Sequence, residues 1–143
     1  CFKCTKIHAC PVMKEGQKFT SKNTEKTYKV KQNVNCNSKF VIYLATCKQC
    51  GGQYVGKTQN KFKERHSGHK QEIKRNYGGL GHHYGQNGGG CGYANLSIMI
   101  IEQVYPQTVA QLDMREIFWQ NQLRVYVQHG GNAHCYRKEK IKK

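Results

Sequence analysis

The sequence predicts a small α/β (α+β) sandwich, in which a mixed or antiparallel sheet of three strands is flanked by helices. Three observations lead to this prediction. Two compact apolar runs, residues 40–45 and 96–101, have the length and the β-branched and aromatic content of buried strands. Two longer segments, residues 61–76 and 109–124, repeat large side chains at helical spacing. A Gly51-Gly52 pair places a hairpin turn soon after the first of these strands.

The predicted elements follow one another as strand, strand, helix, glycine-rich segment, strand and helix. Residues 27–30 alternate weakly and indicate a further short strand, and residues 53–55 are the hairpin partner of 40–45. Residues 77–92 contain eight glycines, so they form either a flexible loop or a broken short helix. The two long helices each carry one stripe of large side chains. These stripes are Phe62, His66, His69 and Ile73 in the first helix, and Leu112, Glu116, Trp119 and Leu123 in the second.

The chain is strongly basic, and its charge is unevenly distributed. The 143 residues include 24 Lys and Arg against 8 Asp and Glu, which gives a net charge of +16 with histidine neutral. The excess lies in residues 1–40, 57–75 and 137–143, around a nearly neutral middle. Such a charge favours a nucleic acid partner, and a basic structural protein or a binder of acidic membranes is the alternative. We expect double-stranded DNA to contact five lysines in and before the first helix: Lys57, Lys61, Lys63, Lys70 and Lys74.

Composition also limits the class of protein. Only 37% of the residues are hydrophobic, so we expect a modest core that needs help from metals or disulfides. No apolar run approaches the roughly 20 residues that span a bilayer, which excludes a transmembrane helix. The start of the chain has neither an initiator Met nor an apolar signal segment, which indicates a fragment of a longer intracellular protein. We predict a basic Cys-rich zinc-binding module at 1–39, a main domain at 40–136 and a basic tail at 137–143.

A first group of potential metal ligands has the pattern C-x2-C-x15-H-x2-H: Cys47, Cys50, His66 and His69. This spacing resembles a tetrahedral Cys2His2 zinc site. The second strand runs away from the turn and the helix runs back, so the two histidines return to the level of the cysteines. Zinc also satisfies two imidazoles that are costly to bury without partners. The alternatives are two hydrogen-bonded core histidines beside a free dithiol, or a site in which His82 or His83 replaces one of the histidine ligands.

A second group lies mainly at the N-terminus: Cys1, Cys4, Cys10 and Cys36. A Cys4 zinc site would organise a segment that is otherwise too polar to fold, and His8 is a competing ligand. Disulfide pairing is the alternative, because eight Cys is an even number. A basic intracellular protein would keep its thiols reduced, which favours zinc. Cys91 and Cys135 then remain as free or packed thiols.

Four side chains form a set suited to phosphodiester cleavage: Tyr43, Tyr54, Arg65 and Glu116. A carboxylate that faces a core is costly unless it is paired or binds a cation, so Glu116 is expected to hold a divalent cation. Arg65 stabilises the charge of the phosphate, and a tyrosine whose pKa is lowered by the cation and Arg65 deprotonates a water. Tyr43 is favoured as the base and Tyr54 as the phosphate contact, although these roles are interchangeable.

Each of these residues also has a structural explanation. The tyrosines are explained by hairpin packing and Arg65 by a surface charge. Glu116 is explained by a salt bridge to Arg65 or Arg115. His69 is either a zinc ligand or a proton carrier, since a metal-bound imidazole hardly does both.

These residues resemble the motifs of GIY-YIG endonucleases. Residues 41–43 (Val-Ile-Tyr) and 54–56 (Tyr-Val-Gly) correspond to the two tripeptides, and residues 56–69 to the helix that carries the family's Arg and the following His. Residues 115–119 match the segment with the metal-binding Glu, and Asn132 resembles a late Asn that shapes the site. The resemblance spans residues 40–135. It departs from the family at Val41, where the family has Gly, and at residues 77–92, which stand where the family usually has a helix.

Within this family, the cysteines between the tripeptides, the downstream histidines and the upstream cysteine cluster resemble the endonuclease domain of Penelope-like retroelements. The resemblance implies nicking of target DNA to prime reverse transcription, with Mg²⁺ or Mn²⁺ at Glu116 and one or two structural Zn²⁺. It also implies a longer chain with a reverse transcriptase, possible contact with retroelement RNA, no membrane and a nuclear location. A zinc-stabilised DNA-binding module without catalysis, and a structure-specific repair nuclease, are the alternative functions.

Overall fold

A computed structural model describes residues 13–14, 16–75, 78–85 and 90–125 of the chain. A short 3-10 turn at Tyr93–Asn95 precedes the last strand. In chain order the other elements are β1 (Lys18–Thr20), β2 (Thr27–Lys29), β3 (Val41–Cys47), β4 (Gln53–Thr58), α1 (Phe62–Arg75), α2 (Gly78–Tyr84), β5 (Leu96–Gln103) and α3 (Val109–Leu123). Every strand and helix expected from the sequence is present within one or a few residues of its predicted bounds.

The predicted three-stranded sheet is confirmed, and it is antiparallel rather than mixed. Its strand order is β4-β3-β5, so β3 is central. Side chains alternate between the two faces of a strand. Tyr43 on β3 contacts Phe62 of α1, whereas its neighbour Leu44 faces the opposite side together with Phe19 of β1. Both faces of β3 are therefore covered, which explains why its sequence is apolar throughout rather than alternating.

The β1–β2 hairpin packs into the same core as the sheet. The ring of Phe19 stacks on Tyr28 at 5.6 Å and meets the edge of Trp119 in α3 at 5.4 Å, measured between ring centroids. Val30 and Val34 belong to the same buried apolar cluster. β2 corresponds to the strand expected at 27–30, while β1 is only three residues long and has no distinct sequence pattern. The division of the chain at residues 39 and 40 stays a prediction.

The glycine-rich segment contains the short helix α2, so the second of the two expected possibilities holds for residues 78–84. Each glycine in a helix costs about 1 kcal/mol relative to alanine. Leu80 and Tyr84 lie four residues apart, hence on one side of α2, and both are buried. Burial of an apolar side chain contributes about 1.5–3 kcal/mol, so tertiary packing offsets the poor helix propensity.

The helices that carry the candidate site are held at their first turns. The N–H groups of Phe62 and Lys63 donate to the carbonyls of Ser38 and Cys36, so a loop of the main chain caps α1. Thr108 caps α3, because its hydroxyl accepts from the N–H of Gln111 at 3.2 Å. Among the helices of the described residues, none combines the length and the apolar character needed to cross a bilayer.

Candidate active site and cysteine-histidine cluster

Tyr43 lies at the centre of the candidate site. Its side chain is 1% exposed, and its hydroxyl is 2.7 Å from Nε2 of His69 in α1. Opposite Tyr43 in the sheet stands Gly56, where a Cβ atom would lie only 2.8 Å from Cε1 of the tyrosine ring. Glycine is needed at this position because the ring occupies the space of any side chain. The glycine of the second tripeptide is thus explained by the tyrosine of the first.

Tyr54 lies beside Tyr43, with 6.5 Å between the ring centroids. Burial raises the pKa of Tyr43 well above its usual value, and the nearby Tyr54 raises it further, while Arg65 lowers it. Burial also raises the pKa of Tyr54, and there too Arg65 acts in the opposite direction. Without a bound cation, desolvation thus outweighs the guanidinium at both tyrosines. The expected lowering of the tyrosine pKa by a cation together with Arg65 stays a prediction.

Arg65 projects from α1 towards the two hydroxyl groups. Its Nη2 donates to Oε2 of Glu72 at 3.0 Å, and Glu72 lies seven residues later on the same flank of the helix. Burial by itself lowers the pKa of Arg65, but Tyr43 and the Glu72 carboxylate outweigh it, so the group stays cationic. Glu72 carries no sequence signal, yet it holds the guanidinium beside the tyrosines.

Glu116 of α3 faces the same site from the other side. Its Oε1 accepts from Nζ of Lys57 at 2.9 Å, and Oδ1 of Asp113 is 3.3 Å from the same nitrogen. The expected alternative partners are excluded: Arg65 pairs with Glu72, and Arg115 pairs with Glu102 at 2.9 Å. Besides burial, the Glu116 carboxylate raises the pKa of Tyr54, so its charge acts at that tyrosine.

A family model described as the GIY-YIG catalytic domain matches residues 39–127, more than half of the chain. The chain belongs to the GIY-YIG family. This GIY-YIG protein therefore carries a nuclease domain, which implies DNA as its substrate. The match includes both tripeptides, Arg65 and Glu116. Comparisons with curated proteins and with solved structures find no match. Asn132 lies outside both the matched and the described residues, so its role stays a prediction.

The predicted Cys2His2 ligand set is not brought together and must be corrected. His69 Nε2 bonds to Tyr43, and His66 Nε2 lies 2.8 Å from the hydroxyl of Tyr93. Burial lowers the pKa of His66 to about 4 and that of His69 well below its usual value, so both rings are neutral near pH 7. Their Nδ1 atoms are buried and have no hydrogen-bond partner within the described residues. The histidine stripe of α1 faces the sheet core and the tyrosines, which explains why it does not reach the cysteine turn.

The cysteine turn meets a different pair of potential ligands. The ligand atoms of Cys47, Cys50, His83 and Cys91 all lie within 4.8 Å of one another. Cys50 Sγ is 3.4 Å from Nε2 of His83, and the N–H of Gly52 donates to the same sulfur at 3.3 Å. Three sulfurs and one imidazole are the donor set of a structural zinc site. The possibility that His83 replaces a predicted ligand is thus favoured, and Cys91, which the sequence predicts as a spare thiol, is also a potential ligand.

The oxidation state of this cluster decides whether it can hold a metal. Cys47 and Cys50 are thiols, while Cys91 is disulfide-bonded in the structure. A thiolate ligates zinc, but a sulfur in a disulfide does not, so a four-ligand site requires reduced Cys91. In the second predicted group, Cys36 is fully buried in the core. Cys1, Cys4 and Cys10 lie outside the described residues, and that site stays a prediction.

The lysines predicted to bind DNA occupy three different environments. Lys57 is half-buried and paired with Glu116. Lys63, Lys70 and Lys74 recur at intervals of seven and four residues, so they form one stripe along α1. At 100° per residue this stripe lies on the opposite flank of the buried face from Arg65. Lys61 precedes α1 and is half-buried. Contacts of these lysines with DNA stay a prediction.

Proposed function

We propose that the protein is a divalent-metal-dependent DNA endonuclease that hydrolyses one phosphodiester bond of a duplex. The observation that carries the proposal is the assembly of Tyr43, Tyr54, Arg65 and Glu116 around one site in a GIY-YIG domain. These residues lie on one hairpin and two helices, and they are up to 73 positions apart along the chain. A packing role alone would not require a guanidinium, a carboxylate and two tyrosine hydroxyls to converge.

Glu116 and Asp113 offer oxygen ligands of the kind that Mg²⁺ and Mn²⁺ prefer. The structure supports a cation here, because the ammonium group of Lys57 already lies within 3.3 Å of both carboxylates. A divalent ion held at Glu116 would supply Lewis-acid stabilisation of a phosphoryl oxygen. Lys57 would then turn towards the phosphate, where an ammonium group is an effective partner.

Tyr43 and His69 carry the proton that the attacking water loses. A water oxygen forms the new bond to phosphorus, and its proton passes to the Tyr43 oxygen as the Tyr43 proton passes to Nε2 of His69. The 2.7 Å contact between these two groups makes the relay geometrically direct. His69 is neutral near pH 7 and can accept the proton, and the phosphate charge offsets the imidazolium that forms. The bond between phosphorus and the leaving oxygen breaks, the leaving oxygen takes a proton from solvent, and His69 then returns its extra proton to solvent.

Arg65 has the complementary role towards the phosphate. Glu72 holds the guanidinium at 3.0 Å, so little side-chain freedom remains to be lost when a phosphate binds. The negative charge that develops on the phosphoryl oxygens is stabilised by donors that are already in place. Tyr54, which is less deeply buried than Tyr43, is positioned to contact the phosphate rather than to exchange its proton.

The test is nicking of supercoiled plasmid with Mg²⁺ or Mn²⁺ added or omitted. Omission is preferable to a chelator, because a chelator would also remove zinc. We expect Arg65→Ala and Glu116→Gln to abolish nicking while DNA binding persists. Arg75→Ala and Glu64→Gln change the same charges at exposed positions of α1 and serve as matched controls. Nicking that persists in both site variants contradicts the proposal, and binding without nicking by the wild type identifies a DNA-binding module.

We further propose a structural Zn²⁺ at the Cys47, Cys50, His83 and Cys91 cluster. The donor set and the 4.8 Å spacing support it, and zinc would tie the β3–β4 turn to α2 and to the segment before β5. Metal analysis of the reduced protein tests this: Cys91→Ser should lose one zinc relative to the wild type. An unchanged zinc content would contradict the proposal, because the reduced cluster would then hold no zinc that depends on Cys91.

The biological role is proposed from the Penelope-like resemblance together with this cysteine-rich turn. On that basis the protein nicks target DNA in the nucleus to prime reverse transcription, as part of a chain with a reverse transcriptase that also handles retroelement RNA. Linear and branched duplexes separate this role from structure-specific repair. Comparable nicking of linear duplex supports target-site cleavage, and strong preference for branched DNA supports repair.

A further inference from the structure

A basic cavity lies on the face of the sheet opposite to Tyr43. Tyr43 contacts α1, so its β3 neighbours Leu44 and Thr46 face the other side. Together with the β1–β2 hairpin they enclose a cavity of about 690 Å³. Ligand sites commonly have volumes of about 300–1,000 Å³. We call this cavity the basic groove, after the four lysines that line it: Lys14, Lys18, Lys22 and Lys48.

Hydrogen bonds fix the segments that line the basic groove in place. Nε2 of the buried Gln53 donates to the carbonyl of Thr20 at 3.0 Å, and its Oε1 accepts from the N–H of Lys22 at 2.8 Å. At the other side the N–H of Lys14 donates to the carbonyl of Ile98 at 2.7 Å. These bonds attach the hairpin side of the groove to both edges of the sheet. The groove is therefore formed before any ligand enters.

The charge of the basic groove is uncompensated within the described residues. All four lysines are exposed, and no Asp or Glu is among the described residues that line the cavity. None of the four forms an ion pair with a described carboxylate, in contrast to Lys57. A polyanion would therefore gain four cationic contacts without breaking an existing salt bridge.

We infer that the basic groove binds the phosphodiester backbone of a nucleic acid strand, separately from the strand that is cleaved. Lysine is a point-charge partner for phosphate and reads no base sequence. Phe19 is the only aromatic residue that lines the groove among the described residues, and its ring is already stacked in the core. The groove therefore lacks a surface for base stacking, which favours backbone contact without sequence preference. The inference goes beyond the proposed function, because the sheet separates the groove from the tyrosines.

The test compares two variants with the same loss of charge. The groove variant replaces Lys14, Lys18, Lys22 and Lys48 with Gln. The control variant replaces four exposed lysines that do not line the groove with Gln: Lys26, Lys29, Lys31 and Lys39. Binding of one sequence as duplex DNA, single-stranded DNA and single-stranded RNA is measured over a range of salt concentrations. Mg²⁺ and Mn²⁺ are omitted, so binding is scored independently of nicking.

We expect the groove variant to reduce the slope of log affinity against log salt by about 3–4 for duplex DNA, or about 3 for a single strand. The form of nucleic acid with the largest change identifies the ligand. Equal losses in both variants would overturn the inference, because the effect would then be one of net charge alone. Loss of polyglutamate binding with unchanged nucleic acid binding would also overturn it and would indicate an acidic protein partner. If the groove variant shows the expected change in salt dependence but the wild type does not nick DNA, only the proposed function is contradicted.

Discussion

Replacement of Tyr43 by Phe removes one hydroxyl and leaves the ring packing intact. In the folded protein that hydroxyl is the partner of His69 Nε2 at 2.7 Å, and the other nitrogen of His69 has no partner among the described residues. The variant therefore leaves a buried imidazole with no hydrogen bond from the described part of the chain. Such a loss costs about 1–3 kcal/mol of the free energy of unfolding.

The effect on catalysis is expected to be larger than the effect on stability. If Tyr43 relays a proton to His69, its removal lowers the nicking rate by about 10²–10⁴-fold, the range for general acid–base groups. His69→Ala should cause a similar loss. The double variant should then be no slower than the slower single variant, because two residues that act in one relay do not contribute additively.

The assay is single-turnover nicking of supercoiled plasmid, with urea denaturation of each variant in parallel. Tyr28→Phe is the matched control, because among the described residues its hydroxyl contacts only Gln122, at 3.4–3.5 Å and at the surface. That variant should change the free energy of unfolding by less than about 0.5 kcal/mol. A Tyr43→Phe protein that nicks within threefold of the wild type refutes the relay. So does a double variant whose loss equals the product of the two single losses.

Three further predictions concern the support of this site. Gly56→Ala should lower the free energy of unfolding by about 1–3 kcal/mol in urea denaturation, because the new methyl group meets the Tyr43 ring; an unchanged midpoint would contradict the observed packing. Stability should fall as the pH drops from about 6.5 towards 4, because His66 is neutral in the folded state, with a pKa of about 4, and gains a proton when unfolded. At neutral pH the shifted pKa of His66 contributes about 3 kcal/mol to the free energy of unfolding. His66→Gln should therefore flatten the profile of urea midpoints against pH. An equally steep profile would refute the lowered pKa of His66. Lys57→Ala should lower stability by no more than about 1 kcal/mol, because this ion pair is partly exposed. It should also lower the Mg²⁺ concentration needed for half-maximal nicking, because the ammonium group no longer competes with the ion for Glu116 and Asp113, and a higher requirement would contradict a cation site there.

Much of the candidate site could be predicted from the sequence because its motifs are local. The two tripeptides stand on neighbouring strands, and Arg65 and His69 lie one helical turn apart, so spacing alone places them together. Glu116 is predicted as a site residue because its carboxylate interrupts a stripe of large apolar side chains in α3. Its partner Lys57 was not predicted as such, since the two meet only through the packing of α3 on β4.

The residues around the cysteine turn show where prediction from spacing fails. Spacing favoured His66 and His69, because helical geometry returns them to the level of the cysteine turn. It does not say which way the histidine stripe faces, and the stripe is directed to Tyr43 and Tyr93 instead. His83 of α2 and Cys91 before β5 lie at the turn, and a glycine-rich sequence does not predict this because its backbone has few local preferences.

The sequence by itself predicted the main strands and helices and the β3–β4 hairpin, because these depend on periodicity and short-range spacing. Its motifs also indicated the family. The tertiary structure decided the partners: His69 with Tyr43, Lys57 with Glu116, and Cys91 with the cysteine turn. It also decided that four scattered lysines line one groove. These outcomes depend on how helices and loops pack across the sheet, which is set by the burial of side chains distant in sequence rather than by any local pattern.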